Sequence, residues 1–130
     1  MADPDSPIRA VHKQEPRSAQ FTDVPSTVDA ALIRSLHERG VHQLYTHQHQ
    51  AFTIAESACK VVIVTPTASG KTLCYNLPVL NKILSNPNAR ALYVFPSKAL
   101  AEDQHEFQAI VDAAGSPVKA FTYDGDSRRC

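Results

Sequence analysis

Ser69-Gly70-Lys71-Thr72, at the end of the stretch TPTASGKT (residues 65–72), has the residue types and spacing to hold a chain of phosphates. A phosphate chain asks for several N–H donors on a tight concave loop and one mobile cation. Gly70 lets the backbone approach a β-phosphate with no Cβ in the way. The N–H groups of Ser69 to Thr72 would open a helix whose dipole favours an anion. Lys71 can reach the β- and γ-phosphates, and the Thr72 hydroxyl can ligate Mg2+. The usual spacing, G-x-x-x-x-G-K-[ST], carries a glycine where this chain has Thr65. A Gly-Lys-Thr triplet also arises by chance at loop–helix junctions, so the flanking elements decide.

Those elements suit the chemistry. Val61 to Thr65 is an unbroken, mainly β-branched run that ends at Pro66, the pattern of a buried strand. After the loop, Leu73, Leu77, Leu80 and Leu84 repeat at helical spacing and predict a helix over Lys71–Leu84, with a kink expected at Pro78. The turn SNPNA follows, then an apolar strand over Arg90–Phe95, a helix over Lys98–Ala114 that stops at Gly115, and a third strand over Val118–Tyr123. Strand–helix–strand–helix–strand predicts an α/β fold of right-handed βαβ units, a parallel sheet with flanking helices.

Upstream, Ser26 with Asp29 three residues on resembles a capping box, and Val28, Leu32 and Leu36 share one helical face before Gly40. A second helix starts at Thr46 and should carry Ala51, Phe52, Ala55 and Ala58 toward a core. Residues 1–20 hold three prolines, scattered charge and little periodicity, so they read as a disordered lead-in to a domain over 21–130. With a net charge of +0, nothing in the bulk balance forces a nucleic-acid partner, and any polyanion site must be local. Cys59, Cys74 and Cys130 form no CxxC pair and read as free thiols, while the six histidines form no catalytic pair. The chain shows neither a signal-peptide pattern nor a long apolar run; the expectation is a cytoplasmic protein, nucleoid-associated if bacterial, with no membrane partner.

TPTASGKT resembles the first motif of superfamily 2, the DEAD/DEAH-box-like helicases. Two other stretches agree in kind and order. LYTHQHQAF resembles the Q-motif region, and FPSKALAEDQ resembles motif Ia. Together with TYDGD, these phrases are most similar to the MrfA/YprA-type DNA repair helicases and their fungal relatives, over about residues 25–127. The resemblance implies an incomplete RecA-like P-loop NTPase domain with ATP and Mg2+ as cofactors. It places Thr67, Ser69, Gly70, Lys71 and Thr72 at the phosphates, with Thr72 on the metal. It implies that Gln48 reads adenine, whose N6/N7 edge suits an amide that donates and accepts at once, and that Tyr45 packs on or near the base. Taken alone, Gln48 is most simply a solvated first-turn residue. The resemblance further implies that Pro96, Ser97, Lys98 and the backbone at Gly125 meet a single nucleic-acid strand, with DNA the expected partner and 3′ to 5′ the direction of movement.

A carboxylate pair must also hold Mg2+ and position the attacking water. No Asp-Glu dipeptide follows the motif Ia region, and Glu102-Asp103 lies inside the predicted motif Ia helix. The chain is therefore expected to correspond to the ATP- and nucleic-acid-binding portion of a helicase, truncated before motif II. Alone it should neither hydrolyse ATP nor unwind, and its partner in cis would be a C-terminal motor domain. The alternative is a stand-alone, non-enzymatic nucleic-acid- or partner-binding module derived from a helicase.

Overall fold

The computed structural model describes residues 18–66, 69–97, 105–115, 118–121 and 123. Its elements run β1 (Phe21–Asp23), α1 (Ala30–Glu38), β2 (Gln43–Tyr45), α2 (Thr46–Glu56), α3 (Lys71–Ser85) and α4 (His105–Ala113). α2 packs along α3 and α1 along α4. Between them lies one core built from Val28, Leu32, Leu36, Leu44, Phe52, Leu77, Leu80, Phe107, Ile110 and Val111. Each such side chain taken out of water stabilises the fold by about 1.5–3 kcal/mol before conformational entropy is set against it.

The helices follow the leucine spacing, with corrections at their ends. α1 is capped by Asp29, whose carboxylate accepts from the Ala31 N–H at 2.7 Å; Ser26 lies outside the helix. Its far end closes as expected at Gly40, which sits at φ +79°. There the Val41 N–H reaches the Leu36 carbonyl and the Gly40 N–H the His37 carbonyl, each at 2.9 Å, the paired bonds of a Schellman motif. Ala58, expected on the core face of α2, lies beyond the helix end, exposed, at φ +56°. α3 runs through Pro78 and buries Leu77 and Leu80 fully, Leu73 and Leu84 partly.

β1 and β2 pair antiparallel with Phe21 opposite Tyr45 and Asp23 opposite Gln43, an element the sequence did not announce. The Gln43 amide donates to the Asp23 carboxylate at 2.9 Å across the pair. Leu44 points into the core, and Tyr45 is thereby fixed immediately before α2.

Where strands were expected over 61–65, 90–95 and 118–123, the described residues form none; the first two segments join helices and the last follows α4. Among the described residues, the only ladder is the β1–β2 pair. The reason is physical: an apolar run sets an extended backbone and its faces, whereas a ladder needs a neighbour at hydrogen-bonding distance. The faces are set. Val61, Ile63, Tyr93, Phe95 and Val118 are half-buried, and Tyr93 and Val118 pack on the core. Val62, Val64, Leu92, Val94, Phe121 and Tyr123 are each more than 80% exposed.

Candidate functional site

The loop before α3 is held by side chains from two directions. Gly70 caps α3 at φ +71°, ψ +31°, a left-handed conformation that disfavours any residue with a Cβ. From inside the loop, the Lys71 ammonium donates to the carbonyls of Thr65 and Pro66, each at 2.8 Å. The Thr65 and Ser69 hydroxyls bond each other at 2.6 Å and draw the two ends of the loop together. Thr65, which replaces the first glycine of the usual spacing, thus supplies a closing contact that glycine could not make.

From outside, α2 grips the loop with consecutive residues. His47 Nε2 lies 2.8 Å from the Ser69 carbonyl, and Gln48 Nε2 donates to the Gly70 carbonyl at 2.9 Å. Gln48 is buried, and its Oε1 accepts from the Tyr45 N–H at 2.9 Å, which satisfies one free donor at the start of α2. Both ends of this amide are therefore engaged within the protein; one N–H and one lone pair remain for any further partner. A Cβ built on Gly70 would lie 2.6 Å from Gln48 Nε2. The glycine is thus needed for its backbone conformation and for the approach of Gln48, beyond the room for phosphate that the sequence suggested.

Tyr45 stacks on His47 with ring centroids 5.5 Å apart and on Phe21 at 4.9 Å. Beside this stack opens a cleft of about 420 Å3 whose lining includes Ser18, Gln20, Tyr45, His47, Thr65 and Ser69. Tyr45 and Ser69 thus line one cavity, while Gln48 lines a second cleft with Phe21, Val41, Tyr45 and Leu73. Thr72 is half-buried in the first turn of α3. Cys74, one turn into the same helix, is buried, and that burial raises its thiol pKa above the ordinary value of 9.0.

Pro96 and Ser97 end the second extended segment and are exposed. Thr67, Lys98 and Gly125 lie outside the described residues. His47 was missed by sequence reasoning. A histidine beside Gln48 was visible, but its reach to Ser69, 22 residues away, depends on how α2 packs against α3.

Among the described residues, no group of three His, Cys, Asp or Glu side chains could hold a metal ion by itself, and no helix is long and apolar enough to cross a membrane. A nucleotide-borne Mg2+ needs less, since phosphate oxygens and water supply most of its ligands and the protein one hydroxyl. The loop fits such a group. It offers a helix start, an ammonium with a third N–H to donate, and a hydroxyl in the first turn.

Comparison with known proteins identifies the family. The family model of the DEAD/DEAH box helicases matches residues 45–129. The ATP-dependent helicase YprA of Bacillus subtilis is 50% identical over 117 residues, 89% of this chain and 16% of YprA. The ATP-dependent helicase hrq1 of Schizosaccharomyces pombe is 30% identical over 91% of this chain and 12% of its own length. The crystal structure of the DUF1998 helicase MrfA bound to DNA and AMPPNP superposes with a TM-score of 0.86 at 50% identity, covering 90% of this chain and 17% of MrfA. This chain thus spans about a sixth of the length of YprA and MrfA. On the loop, its order of elements and these matches, the chain belongs to the DEAD/DEAH box helicase family.

Proposed function

We propose that this chain is the ATP- and single-stranded-DNA-binding portion of an ATP-dependent DNA helicase, the N-terminal part of a RecA-like motor domain over residues 21–130. The observation that carries the reading is Lys71: its ammonium is folded over a closed loop at a helix start, bonded to carbonyls that a triphosphate would replace as partner. In this reading Lys71 neutralises β- and γ-oxygens, the backbone of Ser69 to Thr72 donates N–H groups, Thr67 lines the phosphates, and Thr72 ligates Mg2+. The bound metal would supply charge neutralisation between the phosphates. Tyr45 packs beside the base, and Gln48 offers its remaining N–H and lone pair to the adenine edge. Pro96, Ser97, Lys98 and Gly125 track a DNA backbone, a reading supported by the MrfA structure bound to DNA.

The segments 61–65, 90–95 and 118–123 are then strands of a parallel sheet completed by neighbours beyond this chain, in the same protein as a second motor domain. Without an Asp-Glu pair after motif Ia, the chain binds ATP and does not hydrolyse it. Titrating a fluorescent ATP analogue against the wild type and Lys71→Ala tests the reading. Loss of the charged donor should weaken binding roughly 10- to 100-fold. Equal affinity for the two proteins would remove the phosphate site from this loop.

A further inference from the structure

We infer that His47 is a positioning residue of the phosphate loop, acting on the same peptide run as Gln48; the inference rests on the phosphate-site reading above. A trans peptide is planar, and its C=O and N–H point in opposite directions. Among the described residues every peptide is trans. The Ser69 carbonyl is turned toward His47, so the N–H of Gly70 points away from α2. The Gly70 carbonyl is turned toward Gln48, so the N–H of Lys71 points away as well. Two successive carbonyls gripped from behind therefore present two successive N–H donors on the opposite side of the loop. These donors stand at the start of α3, where the helix has no acceptors of its own to offer them.

The assignment fixes the chemistry of the ring. A carbonyl oxygen accepts and cannot donate, so His47 Nε2 must carry the proton. The ring also lies nearly parallel to Tyr45, at 11°, which holds the imidazole in the plane its bond to Ser69 requires. Gln48 shares the Gly70 carbonyl with the Leu73 N–H, 3.2 Å away, whereas His47 holds the Ser69 carbonyl before it. With both carbonyls held, neither peptide of the pair can turn its N–H away from a bound anion.

Three variants and one spectrum of this chain test the proposal. His47→Phe keeps a ring against Tyr45 and removes the donor, His47→Gln restores an N–H at similar reach, and Lys71→Ala tests the phosphate site itself. Affinity is read with a fluorescent ATP analogue and by its displacement with inorganic tripolyphosphate, which carries phosphates and no base. His47→Phe should weaken both ligands by the same factor, roughly 2- to 12-fold for one lost hydrogen bond, and His47→Gln should regain most of it. Wild-type affinity in His47→Phe, with binding lost in Lys71→Ala, overturns the role of His47 and leaves the phosphate site standing. A loss for the nucleotide that spares tripolyphosphate also overturns it. Wild-type affinity in Lys71→Ala removes both readings. Should His47→Phe fail to fold, the imidazole 15N spectrum of the wild-type chain, taken where the ring is neutral, decides. A proton on Nε2 sustains the proposal, and a proton on Nδ1 alone overturns it.

Discussion

The helical side of this molecule and its extended segments are built from equally apolar sequence and end in opposite states. Phe52, Leu32 and Leu77 are at most 2% exposed between packed helices. Val64, Leu92 and Val94 are more than 80% exposed on segments that run beside those helices. A helix satisfies its backbone within itself and needs only one packed face, which its neighbours supply here. An extended segment needs a neighbour for its backbone and a cover for each face. One face is covered in this chain. Apolar character thus determines which residues could be buried, and the number of elements present determines which are.

The largest effect tests that contrast directly. Phe52→Ala should cost about 3–5 kcal/mol of unfolding free energy, enough to abolish a cooperative melt in a small domain. Val64→Ala on the bare face should stay within about 0.5 kcal/mol. Urea unfolding of both variants measures the pair. A Val64→Ala loss comparable to that of Phe52→Ala would show that the bare face is covered in solution, and the contrast would fail.

A smaller effect sharpens the contrast at the loop, where helix packing reaches the candidate site. Gly70 and Gly40 both have positive φ, at +71° and +79°. Alanine at either should cost about 1–2 kcal/mol of backbone strain. Among the described residues, a Cβ at Gly40 meets nothing within 4 Å, whereas at Gly70 it would meet Gln48 Nε2 at 2.6 Å. Gly70→Ala should therefore also displace Gln48 and weaken ATP binding at least roughly 10-fold, if the loop is the phosphate site, while Gly40→Ala leaves affinity unchanged. Equal affinity in the two variants would mean that the α2 grip is dispensable for nucleotide.

What could be read from the chain divides along the same line. Leu32 and Leu36, Leu77 and Leu80, and the stop at Gly40 were legible because each depends on spacing within one helix. Asp29 was noticed as the second half of a capping box and proved to be the cap itself, a shift of three residues that only the bond to Ala31 reveals. The pairing of Phe21–Asp23 with Gln43–Tyr45 was not legible, since three-residue strands separated by α1 leave no periodic trace. At the site, Gly70, Lys71 and Thr72 were legible as one contiguous motif. Gln48 was singled out for adenine through resemblance, whereas its bonds to Tyr45 and Gly70 are products of packing between α2 and α3. His47 was invisible for the same reason.

The smallest effect lies within a single extended segment, where Tyr93 faces the helices while its neighbours Leu92 and Val94 face outward. Its ring meets Phe107 edge-on at 5.6 Å and Tyr75 at 5.9 Å, and its hydroxyl is buried with no hydrogen-bond partner among the described residues. Burial first, and the Tyr75 hydroxyl second, push the phenol well above its ordinary pKa of 10.0. Cys74 is raised above 9.0, again chiefly by burial. Both groups hold their protons longer folded than unfolded, so the native state binds more protons and stability falls as pH rises. The contribution is whole below about pH 8, where both unfolded groups still hold their protons, and is lost as pH climbs through 9.0 and 10.0 toward the folded values. Urea midpoints should therefore drop between pH 8 and pH 10.5, and Tyr93→Phe should flatten that drop while leaving the midpoint at pH 8 equal or slightly higher, since it also removes an unpaired buried hydroxyl. An unaltered alkaline slope in Tyr93→Phe would mean that the ring is open to water, and that this segment is as bare on its inner face as on its outer one.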